Sequence, residues 1–217
     1  MLLLSVNVGQ ERAISNAKSY GKTGIYKLPR SGPVEIHALG IPDDVIIDTP
    51  NHGGPDQAIY IYGAPDYAWW SQELGKDLLP GTFGENLTVS DLLSADALAG
   101  DRLQIGTVTL EVTAPSVPCV TLAARMGDPM FVKRFRSAER PGLYCRVIQT
   151  GFVEVGSKVD YLVYSGETIS ILEMFRNFYK PRHDLDTLRR YLAAPTPLRG
   201  RAEIEQEYQA LLAKKGA

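Results

Sequence analysis

The stretch TAPSVPCVTLAARMGDPMF (residues 113–131) carries a single thiol, Cys119, after a proline and ahead of a helix-forming run. A cysteine at a helix start lies beside backbone N–H groups that have no partner within the helix, and at the positive end of the helix dipole. Both favour the thiolate. Between residues 119 and 146, six basic side chains (Arg125, Lys133, Arg134, Arg136, Arg140, Arg146) stand against two acids (Asp128, Glu139). That field favours a thiolate and an anionic ligand alike. Such a sulfur is suited to nucleophilic attack or to holding a soft metal, and the bland alternative is a small buried hydrophobe. The other cysteine, Cys145, lies within GLYCRVI, a strand-like run where burial is expected.

Two further stretches could meet that thiol. In NHGGPDQAIYIY (51–62), Gly53 and Gly54 precede a proline in a tight turn whose backbone N–H groups could cradle an anion. His52 stands at its mouth, and Asp56 follows four residues later, placed either to cap the turn or to orient the imidazole. In GTFGENLTV (81–89), Gly84 shapes a turn from which Glu85 and Asn86 enter a strand. Each stretch alone is also ordinary turn chemistry.

These residues need a frame. Runs at Leu2–Val8, Val34–His37, Ala58–Tyr62, Leu87–Val89, Arg102–Ile105, Val108–Val112, Leu143–Ile148 and Lys158–Tyr164 are short, β-branched or aromatic, and punctuated by Gly, Pro, Asn and Asp. DRLQIGTVTLEV (101–112) alternates on both sides of Gly106, as a hairpin does. Helical windows are Pro65–Leu74, Asp91–Ala99, Thr121–Met126 and Pro129–Ser137. Many short strands with irregular links predict a mainly β barrel or sandwich over residues 1–164.

From Ser165 the pattern changes. Ser170 with Glu173 forms a capping box, with Ile171, Leu172, Phe175, Phe178 and Tyr179 expected on one face. Pro181 ends that helix, Asp184 caps a second, and a third begins near Arg201. Residues 165–217 are therefore expected to be a small three-helix domain, too small to stand alone, that leans on the β domain or on a second copy of the chain. Its nine lysines and arginines against seven acids make no basic stripe, which argues against nucleic acid.

The formal net charge of −2 gives no pull toward nucleic acid or anionic membranes. Two cysteines rule out a four-thiolate cluster within one chain. The three leucines of MLLLSVNVGQ are too short a run for a membrane span or an export signal, so the cytoplasm is expected.

In combination and order, HGGPDQA, FGENLTV, the Gly-Asp pair at 100–101 and the P-x-x-P-C turn at 115–119 resemble the MOSC domain. With GKTGIYKLPRSGPVEIHALGI (21–41) and the helical tail, nearly the whole chain resembles the YiiM type, a MOSC β-barrel followed by a small three-helix domain. Asp43 stands where that family commonly has glycine, and Asp44 keeps the acid. The resemblance implies molybdenum cofactor, a pterin dithiolene complex, with Cys119 as the metal ligand. It also implies reduction of N-hydroxylated bases such as 6-N-hydroxylaminopurine to amines. On that reading His52 is the proton donor and Asp56 its orienter or a pterin contact. Gly53, Gly54, Gly84, Glu85, Asn86 and Arg125 are the expected cofactor contacts. No flavin or nucleotide fingerprint is present, so electrons are expected from a separate flavoprotein or ferredoxin-like reductase. Two other readings stay open: a cofactor carrier without turnover, and a cysteine hydrolase built on Cys119, His52 and Asp56.

Overall fold

The computed structural model describes residues 1–17 and 21–215. Its strands are β1 (Leu3–Gly9), β2 (Arg12–Ala13), β3 (Lys22–Thr23), β4 (Lys27–Pro29), β5 (Val34–Ile36), β6 (Ile59–Gly63), β7 (Leu87–Val89), β8 (Arg102–Ile105), β9 (Val108–Pro115), β10 (Leu143–Gln149), β11 (Gly151–Val153) and β12 (Val159–Leu162). Its helices are α1 (Thr49–His52), α2 (Ala64–Leu74), α3 (Val120–Met126), α4 (Phe131–Ala138), α5 (Ile171–Tyr179), α6 (Leu185–Ala193) and α7 (Arg201–Lys215).

Eight strands form one sheet in the order β12-β8-β9-β10-β6-β7-β1-β4. Every pairing is antiparallel except β6 with β7, which run parallel and are joined through α2. The β8–β9 hairpin turns at Gly106 as its alternation predicts, with Ile105 opposite Val108 and Gly106 at φ +59. The sheet curls, but strand pairing does not complete the expected closed barrel. The edge strand β12 is drawn to the start of β1 by one isolated bridge, Leu2 to Lys158, and by the Gly156 N–H donating to the Leu3 carbonyl at 2.8 Å. The expected helix over 91–99 reduces to a single 3₁₀ turn, Ser94–Asp96. Asp91 takes a left-handed φ of +53, and Leu98 bridges Ser170, so the chain there is bent and then extended.

Two apolar clusters fill the fold. One lies inside the curled sheet and includes Leu3, Ile59, Ile61, Leu87, Leu110, Leu143 and Cys145. The other is aromatic: Tyr62, Trp70, Phe83, Phe131, Phe135 and Phe175 bring α2, α4 and α5 together. Trp70 stacks on Phe135 with ring centroids 5.8 Å apart, and its indole N–H donates to the Tyr62 hydroxyl at 2.9 Å. Each such ring contributes roughly 1.5–3 kcal/mol by burial.

The tail is not a unit with its own core. Ile171, Met174 and Ala194 belong to the sheet cluster and Phe175 to the aromatic one, whereas α7 buries no residue. The caps form as expected, with the Ser170 hydroxyl accepting from Glu173 N–H at 3.1 Å and Asp184 from Thr187 N–H at 2.8 Å. The buried face of α5 is rotated from expectation: Met174 and Asn177 turn inward, while Phe178 is 62% exposed. The last two residues of the expected 165–217 domain lie outside the described residues.

Asp101, of the Gly-Asp pair, straps the tail's approach to the sheet. Fully buried, it accepts from Leu98 N–H and Tyr164 N–H, both at 2.8 Å, and from the Tyr161 hydroxyl. Asp101→Ala strands these donors, each at about 1–3 kcal/mol. The expected loss of stability in urea unfolding is therefore about 2–5 kcal/mol. A change below about 0.5 kcal/mol, the level of ordinary surface substitutions, contradicts the strap.

Candidate functional site

Cys119 lies beyond the end of β9, after the Ser116–Pro118 loop, in the capping position of α3. Its backbone is extended (φ −122, ψ 173), and its carbonyl accepts from Leu122 N–H at 3.0 Å and Ala123 N–H at 3.2 Å. The thiol is half-buried in the wall of a cleft that His52, Lys27, Gly84, Asn86 and Tyr144 also line. His52 closes the single turn of α1, its Nδ1 3.4 Å from the Tyr144 hydroxyl and its Nε2 3.9 Å from Asp48 Oδ2. The turn carrying it is pinned to β9 by the Thr113 hydroxyl, which donates to the Asp56 carbonyl at 2.6 Å.

Burial alone would push the Cys119 thiol up. The His52 imidazole, the Leu122 N–H and the Thr121 hydroxyl outweigh it and bring the pKa down to about 7, from an ordinary 9. The basic residues of 119–146 are not the cause, because most hold structural partners. Arg140 pairs with Asp66 at 2.6 Å, Arg146 with Asp56 at 2.8 Å and Arg134 with Asp128 at 3.3 Å, while Arg136 lies over the Tyr179 ring. Cys145, sealed in the sheet core, is pushed up by burial, so its thiol stays protonated.

The depressed value has a testable sign. A lowered pKa means that between pH 7 and 9 Cys119 is largely thiolate where an ordinary thiol still carries its proton. Iodoacetamide should therefore modify one thiol of the native chain, with a half-maximal rate near pH 7, and His52→Ala should move that midpoint toward 9. A wild-type midpoint near 9 would remove the basis for this assignment.

Of the residues expected at the site, Cys119, His52, Gly84 and Asn86 share the cleft. Asp56 does not orient His52, which corrects that expectation. Its carboxylate takes Arg146 and the Leu198 N–H at 2.7 Å, tying the turn to the segment before α7, and Asp48 stands beside His52 instead. Gly53 and Gly54 face a neighbouring groove rather than the thiol, and the Gly53 N–H is committed to the Thr49 carbonyl at 3.0 Å. Gly54, at φ +97, is the position of the turn that requires glycine. Glu85 is not a wall residue. It is fully buried, with one oxygen accepting from Tyr67 at 2.6 Å, Gly81 N–H at 2.7 Å and Thr88 at 2.9 Å; its other oxygen has no partner, and burial raises its pKa. Arg125 stacks on Tyr26, 4.5 Å from the ring centroid, outside the cleft lining.

Sequence reasoning missed Lys27 and Tyr144. Lys27 is 7% exposed and pairs with Asp44, which Gly9 N–H (2.7 Å) and Asn86 Nδ2 (2.9 Å) hold in place. Burial pulls the Lys27 pKa below the usual lysine value even beside Asp44. Tyr144 alternates with the buried Cys145 along β10, so strand periodicity sends its ring to the opposite face.

The donor set fits a metal that arrives with ligands of its own. Among the described residues no three His, Cys, Asp or Glu side chains converge to make a metal site, so this chain offers the single soft donor, Cys119. Gln57 Oε1 is buried at the cleft without a partner. A Cβ on Gly84 would come 2.9 Å from the Ile25 side chain, so only a bare backbone fits there.

This fold and thiol-bearing cleft define a MOSC protein: the MOSC domain model matches residues 48–160, and the chain belongs to that family. It is of the YiiM type. The crystal structure of YiiM from Geobacillus stearothermophilus superposes with a TM-score of 0.77 at 25% identity, covering 95% of this chain and 98% of that one. The uncharacterized protein YflK of Bacillus subtilis (strain 168) is 30% identical over 213 residues, 98% of this chain and 93% of that protein. A protein named reductase from Gibberella moniliformis is 33% identical over 155 residues, 70% of this chain but only 26% of its own length.

Proposed function

We propose that this chain binds molybdenum cofactor through Cys119 and reduces N-hydroxylated bases and related compounds to amines. In this reading it works in the cytoplasm, with electrons from a separate flavoprotein or ferredoxin-like reductase. The observation that carries the reading is the half-buried thiol of lowered pKa, placed in a cleft wall beside His52 with no second sulfur in reach. MOSC domains are associated with molybdenum cofactor, and the reductase-named relative supports the reaction class. No described helix is long and apolar enough to cross a membrane.

Bound here, the cofactor supplies a soft metal and two-electron redox chemistry. Cys119 holds it, with Asn86, Lys27 and the bare backbone at Gly84 as polar and close-approach contacts. The substrate R–NHOH takes two electrons and two protons, the N–O bond breaks, and R–NH₂ and water leave. His52 carries one proton into the cleft and is recharged from the exposed side of its ring.

The test is elemental analysis for molybdenum after expression in a host that makes the cofactor. A reductase and 6-N-hydroxylaminopurine are then added and adenine is measured. Molybdenum near one per chain with adenine formation is expected. Metal without turnover leaves a cofactor carrier, and absence of metal overturns the proposal. The contact of His52 with the thiol, with Asp48 beyond it, also suits a cysteine hydrolase. Ester hydrolysis by metal-free protein favours that reading.

A further inference from the structure

Beside the cleft runs a second groove, walled by the 53–57 turn, the end of β9, and helices α5 and α6. Gln57 and Val117 line both spaces, so the groove adjoins the thiol cleft at those two residues. Met174, Leu188, Tyr191 and Leu198 give it apolar walls, and Arg182, His183, Arg199 and Glu207 also line it. Two buried polar atoms stand out against them. Gln57 Oε1 has no partner. Asn177, 8% exposed, has an Nδ2 without a partner of normal geometry, although it faces the Tyr191 hydroxyl. An amide nitrogen has two N–H donors, so at least one is left over. Buried polar atoms without partners are rare in folded proteins, and a bound ligand is one thing that satisfies them.

Of the charges bordering the groove, Arg182 and Arg199 are exposed and the two acids are paired. Asp56 is held by Arg146 and Leu198 N–H, and Glu207 by His183. A flat molecule with apolar faces, carrying one donor and one acceptor on its edge, suits the apolar walls and the two unpartnered buried atoms.

We propose that this groove is the substrate subsite. It would take the planar nitrogen heterocycle of an N-hydroxylated base, with Asn177 Nδ2 donating to a ring acceptor, Gln57 Oε1 accepting from a ring or exocyclic N–H, and the N–O group directed past Val117 toward Cys119. The ligand class rests on the reductase reading; the subsite rests on the groove. The tail helices then have a task, because α5 and α6 supply the groove's outer wall. Arg146, which donates to the Pro195 and Thr196 carbonyls at 3.2 and 3.0 Å and pairs with Asp56, holds the two walls at a fixed separation.

Calorimetry on the cofactor-free chain tests this without turnover, using adenine and 6-N-hydroxylaminopurine as probes. Asn177→Leu should weaken binding about tenfold, the worth of one hydrogen bond. Because Asn177 is buried, Leu198→Trp is a second arm. Leu198 is 68% exposed, so the fold should tolerate the change, and the new indole should both crowd the groove and lose fluorescence when the purine binds. Amide shifts in NMR should map to 53–57, 114–117 and 174–191. In cofactor-loaded protein, Asn177→Leu should raise KM with kcat kept. Unchanged affinity in both variants, or shifts confined to another face, overturns the subsite. Groove-mapped binding by a chain that loads molybdenum yet never forms adenine upholds the subsite and sinks the reductase reading alone.

Discussion

Cys119→Ser should leave a folded protein that holds no molybdenum. A serine hydroxyl stays protonated at any working pH and is a hard oxygen donor, so the single soft ligand of the cleft is lost. Activity in the hydroxylaminopurine assay should fall to background with the metal. The fold should not suffer, because residue 119 caps α3 with an extended backbone, and serine is among the preferred residues for that position. Stability should hold, or rise by up to about 1 kcal/mol. Opposite movement of metal content and stability separates loss of a ligand from damage to the structure. Metal retained at the wild-type level by a folded serine variant would remove Cys119 from the site.

His52→Ala should lower turnover per bound molybdenum about 100-fold, the usual contribution of a positioned acid. Normalising to bound metal matters because His52 is the foremost influence lowering the Cys119 pKa, so its loss also makes the thiolate scarcer at neutral pH. Two consequences should appear together. The alkylation midpoint of Cys119 moves up, and turnover per bound metal falls with it. Asp48 Oδ2 lies 3.9 Å from Nε2 and the Tyr144 hydroxyl 3.4 Å from Nδ1, so the two flank the ring. If turnover per metal is unchanged, the proton comes from elsewhere, with the Tyr144 hydroxyl and Lys27 as other donors in the cleft wall.

What the residues disclosed in advance follows from the range of the forces involved. Strand periodicity, Gly106 at the hairpin, the Ser170 and Asp184 caps and the placing of Cys119 at a helix start are local, and each appears where its pattern puts it. Asp56 failed as a partner for His52 because two residues four apart in a turn diverge once the chain enters a 3₁₀ turn, and because Arg146 and Leu198 reach it from far along the sequence. The basic run misled for a similar reason: its arginines meet acids that lie distant in sequence, such as Asp66 and Asp56. Lys27 looks like any strand lysine until Asp44 and Asn86 enclose it. The rotation of α5 reflects two apolar clusters competing for one short helix, with Met174 claimed by the sheet and Phe175 by the rings.

The seam between the first residues and β12 sets an order of events during synthesis. Leu3 donates to the Ser157 carbonyl and Val159 to the Met1 carbonyl, both at 2.9 Å, so the opening strand gains its last neighbour only after residue 159 has left the ribosome. Until then its apolar inner face has an unmatched edge, a template for pairing with other chains. A slow final zipping step, and a window in which nascent chains need chaperones, follow from joining β1 to a point so far downstream.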